Sequence, residues 1–289
     1  MKKINKILYF SLLIALASCT ERIEIELDEG DRQLVVYGEV TTDTCVQTVK
    51  LSTTTAYYYD QAAPTVSDAI VEISDGETTV LLTEDPSEKG VYKTKADFYG
   101  EVGKTYYLNI TNVDINGDGV EETYSANSYL PKVGPLDSIG LKYTENSFFS
   151  GWEVMVYAYD LAQQRDFYSF KVLKNGELIT DSLQNLQVQN DDFFNGNYTF
   201  GITSQFLNDD SEEEKAVPGD SVVFEINGIT EEFYVYVLEA QSEIFPGTPL
   251  FSGPPSNIST NISNGGLGFF TAYSIKRSGK TVPVYPDGM

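Results

Sequence analysis

Apolar and polar residues alternate one by one along most of this chain. In Gln33–Val40, QLVVYGEV, the residues Leu34, Val36 and Val40 fall on one face. Ala69, Val71 and Ile73 share a face, as do Tyr106, Leu108 and Ile110. The segments VQTVKLSTTT, DAIVEISDG, TTVLLTED, GVYKTKADF and KTYYLNITNV are joined by short polar turns. The pattern resumes in WEVMVYAYD, where Val154, Val156 and Ala158 oppose Met155, Tyr157 and Tyr159. FYSFKVLKNGELI carries the Asn175-Gly176 hairpin signal. LQVQN, YTFGITSQF, SVVFEING and GFFTAYSIKR follow. Period-two patterning with turn signals about every ten residues predicts an all-β, mainly antiparallel fold of two sandwich-like domains.

One stretch departs from that period. In Thr230–Ser242 and on to Ile244, the residues Phe233, Tyr236, Val237, Ala240 and Ile244 keep helical spacing. Thr230 is placed to cap such a helix, with Glu231 and Glu232 at the positive end of its dipole. FYVYV also has strand propensity, so both states compete here, and the second domain is expected to hold one short helix. Pro131 and Gly134-Pro135 punctuate the expected linker. The expected organisation is a signal at 1–18, an acidic tether at 19–32, a transthyretin- or Ig-like sandwich at 33–130 and a β-rich domain at 136–289.

The first residues fix an address. Lys2, Lys3 and Lys6 precede an apolar run from Ile7 to Ala17. That run is too short to span a bilayer, which takes about 20 apolar residues, and has the layout of a secretory signal. It ends in Leu16-Ala17-Ser18-Cys19, which resembles a bacterial lipobox with Cys19 as the lipidated residue. Several acyl chains hold a protein stably where one does not. The reading is therefore a membrane protein held by lipid on Cys19. The acidic tether, with Glu21, Glu24, Glu26 and Asp28, resembles the signal that exports one phylum's lipoproteins to the cell exterior; the alternative is a periplasm-facing position at the outer membrane.

Charge and cysteine content narrow the function. With 43 acidic against 19 basic residues, the formal charge is −24. Such a surface argues against nucleic-acid partners, which require basic patches. There is no histidine, which excludes histidine-based triads and histidine-ligated metals. Of the two cysteines, Cys19 takes the lipid. Cys45 then has no partner and reads as a small core residue.

Candidate chemistry is sparse. Asp114, Asn116 and Asp118 alternate ahead of Gly119, Glu121 and Glu122, like the first half of a calcium loop. Ser125 stands where an EF-hand requires glutamate. The segment reads either as a weak calcium site or as a polar hairpin with Asn-Gly and Asp-Gly turns. Calcium is the one cofactor the sequence brings forward. Adjacent aromatics at Tyr57-Tyr58-Tyr59, Phe148-Phe149 and Phe193-Phe194, with the single Trp152, suit either a ligand platform or ordinary strand packing. Acid pairs such as Asp191-Asp192 and Asp209-Asp210 show no glycosidase geometry by spacing, and no enzyme is expected.

A family resemblance comes from particular residues. Pro254-Pro255 with Asn257-Ile258 leads into Asn261-Ile262 and GGLGFFTAYS, Gly265 to Ser274. Together with the lipobox and the LVVYGEV start, this resembles the Bacteroidota outer-membrane lipoproteins classed as domain of unknown function 4249 (DUF4249-like), over Ile23 to about Val284. The resemblance carries no catalytic residue. It implies an accessory, non-enzymatic binding role beside a TonB-dependent nutrient receptor. The alternative is a structural or adhesive surface lipoprotein.

Overall fold

The computed structural model describes residues 31–55, 62–146, 150–162, 164–180, 182–244 and 257–284. Cys19, Tyr57–Tyr59, Phe148-Phe149 and Pro254-Pro255 lie outside the described residues. The first half contributes β1 (Leu34–Thr41), β2 (Thr48–Thr53), β3 (Ile70–Ser74), β4 (Thr79–Leu81), β5 (Thr83–Glu84), β6 (Val91–Lys93), β7 (Thr105–Val113) and β8 (Glu122–Tyr129). The second contributes β9 (Leu136–Glu145), β10 (Ser150–Ala158), β11 (Phe167–Lys174), β12 (Glu177–Leu178), β13 (Gln187–Asn190), β14 (Ile202–Asn208) and β15 (Ser221–Ile229). Helix α1 (Glu231–Ile244) and β16 (Leu267–Thr281) complete the chain. The fold is mostly β and dominated by antiparallel pairs, with one short helix, as the periodicity predicts.

One long sheet runs in the order β12-β11-β15-β16-β1-β2-β6-β5, with β13 also paired to β11. A four-stranded sheet, β4-β3-β7-β8, covers its β1-β2-β6-β5 end, and a three-stranded sheet, β14-β10-β9, covers its β12-β11-β15 end. Two cores result. Leu34, Val36, Val71, Ile73, Leu108 and Ile110 fill the first. Trp152, Val154, Val172, Leu207, Val222 and Phe224 fill the second. Each strand supplies the alternate residues the sequence places on one face, because successive side chains of a strand point to opposite sides.

The expected split into separate domains at 131–135 is corrected. The chain does pass from one core to the other there, with Leu130 buried in the first and Val133 in the second. The long sheet, however, continues across. The first half of β16 pairs in parallel with β1, from Val35↔Leu267 to Thr41↔Tyr273. Its second half pairs antiparallel with β15, from Gly228↔Ser274 to Ser221↔Thr281. The described residues from Arg32 onward form one compact unit. Linker chemistry marks a change of core, but pairing between strands some 230 positions apart has no local signal.

Helical spacing prevails in α1 because its apolar stripe has a partner. Phe233 and Val237 pack with Phe269, Tyr273 and Ile229 on the face of the long sheet turned away from the other two sheets. Thr230 caps it, its hydroxyl accepting the Phe233 N–H at 3.3 Å.

Cys45 is a second correction: it is exposed, not core. It precedes β2 in a turn, and the neighbouring Gln47 takes the buried position instead. The Gln47 amide reaches Thr41 Oγ1, the Asp43 carbonyl and the Cys45 sulfur.

Candidate functional site

The second core is open at one end. There β10 and β14 separate from the long sheet around a cavity of about 390 Å³. Val156 and Ala158 of β10 and Ile202 of β14 form one wall. Tyr168 and Phe170 of β11, Val188 of β13 and Ile226 of β15 form the opposite one. Phe193 and Phe194, on the loop between β13 and β14, line it too. Gln187, Gln189, Thr199 and Thr203 add polar groups.

Local sequence explains the opening. A register shift interrupts the β10–β14 ladder between Val154 and Met155. Phe200 and Gly201 both take positive φ, 50° and 82°, and turn the chain into β14. A side chain at Gly201 would strike the Tyr157 ring, so this corner admits only glycine.

Aromatic rings frame the mouth. Phe194 stacks on Tyr168 at 6.1 Å between centroids, and Tyr168 on Phe170 at 6.4 Å. Tyr159 meets Tyr198 at 4.5 Å, and Tyr198 meets Phe200 edge-on at 4.9 Å. Phe193 is 92% exposed and Phe200 80%. The adjacent pair Phe193-Phe194 is thus divided between solvent and packing. Trp152 is core: it is buried and donates its indole N–H to the Ala216 carbonyl at 3.1 Å.

Beside the cavity lie three acidic side chains. One carboxylate oxygen each from Asp160, Asp166 and Asp191 lies within 4.8 Å of one from both others. Asp160 also lines the cavity. It accepts the Tyr168 phenol and the Gly196 N–H, the latter at 2.7 Å. Asp191 accepts from the Asn195 amide at 2.7 Å, and Asp166 Oδ1 from the Gln164 amide at 2.6 Å. Burial, opposed by the Gln164 hydrogen bond and reinforced by the charges of Asp160 and Asp191, pushes the Asp166 carboxyl up to about 6.

The sequence-predicted loop behaves differently. Asp114 accepts the N–H groups of Gly117 and Gly119 at 2.7 and 2.9 Å. Asp118 accepts from Val120 at 2.7 Å, and Asn116 from the Asp118 N–H at 3.0 Å. Glu122 takes the Tyr124 hydroxyl at 2.8 Å, and Glu121 is exposed. These groups shape a polar hairpin, with Gly117 and Gly119 at positive φ. Among the described residues the one place where three acidic oxygens converge is Asp160, Asp166 and Asp191, not Asp114, Asp118, Glu121 and Glu122. Sequence spacing misses that trio because it spans 31 positions and three segments. The available signal is an Asp flanking each of three strands, after β10, before β11 and after β13.

The fold and site define a sandwich-like β protein with an aromatic-rimmed cavity at one end of its second core. The chain belongs to the family described as Domain of unknown function (DUF4249), whose model matches residues 20–278. A search of the curated proteins finds no match.

Proposed function

We propose that this protein is an outer-membrane lipoprotein, anchored through Cys19 and facing the cell exterior. Its role is that of a non-enzymatic binding or accessory module for a TonB-dependent nutrient receptor. The observation that carries a binding role is the cavity of about 390 Å³ with its aromatic mouth. Ligand sites are typically concave, largely apolar and provided with a few polar groups, within about 300–1,000 Å³. The exposed ring of Phe193 in the lining, and that of Phe200 outside it, suit a small ligand with a flat or ring-shaped apolar face. The same two rings favour the alternative, a structural or adhesive surface lipoprotein, by offering anchors to a protein partner.

A neutral planar fluorophore, N-phenyl-1-naphthylamine, tests the cavity. It should bind the wild type saturably and bind Phe193→Ala and Ile202→Ser several-fold more weakly. Equal titrations for all three would remove the cavity as the site. The anchor is tested by Cys19→Ser, which should abolish lipid labelling and membrane retention. A gentle-detergent pull-down should recover a receptor barrel, and a soluble periplasmic partner alone would overturn the receptor role.

A further inference from the structure

We propose that Asp160, Asp166 and Asp191 bind one calcium ion, and that the ion fastens the loop bearing Phe193 and Phe194 over the cavity. Three chain segments meet at this point. Asp160 follows β10, Asp166 precedes β11 and Asp191 follows β13. Their oxygens lie within 4.8 Å of one another. Two oxygens bound to the same calcium ion stand at most about 5 Å apart, twice the longest usual Ca–O distance.

An independent observation points to a missing partner. Asp166 is 7% exposed. Its Oδ2 is buried and accepts no hydrogen bond among the described residues. Such groups are rare in folded proteins and costly to leave unpaired. Its neighbours in the cluster, Asp160 and Asp191, are both acidic. Arg165, next in sequence, is directed instead to Asp192 at 3.5 Å and Glu231 at 3.1 Å. A cation is the partner that a buried carboxylate flanked by two more carboxylates accommodates.

The donor set selects the ion. It holds oxygen alone, which suits a hard cation. Magnesium demands near-ideal octahedral geometry and keeps several waters, which a buried three-carboxylate cluster does not favour. Calcium accepts six to eight oxygens in loose geometry. The hydrogen bonds from Tyr168, Gly196, Gln164 and Asn195 then serve to orient the carboxylates. Asp191 begins the loop that carries both phenylalanines, so the ion joins that loop to the ends of β10 and β11. This site stands whatever the cavity holds.

The full chain, stripped with a chelator, should take up one calcium ion in calorimetric titration with CaCl₂. A Kd on the order of 10⁻⁴ M or tighter is expected. Saturating calcium should raise Tm by about 3 °C or more. Asp166→Asn should lose both responses, and Asp118→Ala should keep both. Should Asp166→Asn not fold, Asp191→Asn replaces it. Terbium bound to the wild type should show tyrosine-sensitised emission that calcium displaces. Flat heats up to several-fold above ~10⁻³ M would overturn the site. So would a calcium response that Asp118→Ala abolishes and Asp166→Asn retains, or an equal response to magnesium.

Discussion

The phenol of Tyr168 donates a hydrogen bond to Asp160, and this bond joins the aromatic wall of the cavity to its acidic corner. Tyr168 is buried and also stacks on Phe194. Tyr168→Phe keeps the ring and removes the donor. It should lower stability by about 1.5–3 kcal/mol, the usual range for a hydrogen bond to a charged group. Urea unfolding measures this, and an unchanged midpoint would show that the bond contributes nothing.

Gly268 sits against Val36 where β16 meets β1, at a φ of +87°. A Cβ there would fall 2.0 Å from the Val36 carbonyl oxygen. Gly268→Ala should therefore cost more than about 3 kcal/mol, or prevent accumulation of folded protein. Gly103, at a φ of +89°, has open space around its Cβ position. Gly103→Ala should cost only the backbone strain, about 1–2 kcal/mol. Equal unfolding midpoints for the two variants would show that the β1–β16 contact tolerates a methyl group.

Asp75 caps the β3–β4 turn and pairs with Lys104. It accepts the Thr78 and Glu77 N–H groups at 2.8 and 3.1 Å and the Lys104 ammonium at 2.8 Å. The ammonium first, and then the two amides, hold its carboxyl down to about 2. An unfolded aspartate titrates near 3.9. A folded pKa below the unfolded one stabilises above about pH 4, and that stability is lost as pH falls toward 2. Wild type should exceed Asp75→Asn by about 1 kcal/mol at pH 7, given solvent screening. The gap should close between pH 4 and 2. Denaturant titrations across that interval decide it, and a constant gap would mean the charge plays no part.

Cys45 is exposed, and partial desolvation with the carboxylates of Asp43 and Glu39 pushes its thiol pKa up. Iodoacetamide should label it completely in the native protein, more slowly than a free thiol at the same pH. Labelling that required denaturant would restore the core placement.

The sequence by itself determined the elements of this fold. Alternation at Leu34/Val36, Val71/Ile73, Leu108/Ile110 and Val154/Val156 defines strands because a pleated backbone sends neighbours to opposite faces. Helical spacing at Phe233, Val237 and Ala240, with Thr230 ahead of it, makes a helix legible there, and packing of that stripe on Phe269 and Tyr273 decides it over a strand. The punctuation around Pro131 and Pro135 marks the change of core. The repeated Asp and Gly of 114–119 mark a turn.

Only the tertiary structure decided what those elements meet. That β16 joins β1 and β15 into one sheet depends on pairing across most of the chain. That Cys45 faces solvent depends on Gln47 filling the space below it. The acidic trio depends on register as well. The β11–β13 ladder sets Phe167 opposite Asn190, which brings Asp166 alongside Asp191, and the end of β10 delivers Asp160. In the sequence those three carboxylates are ordinary strand-end aspartates. They become one site because three strands end at the same place.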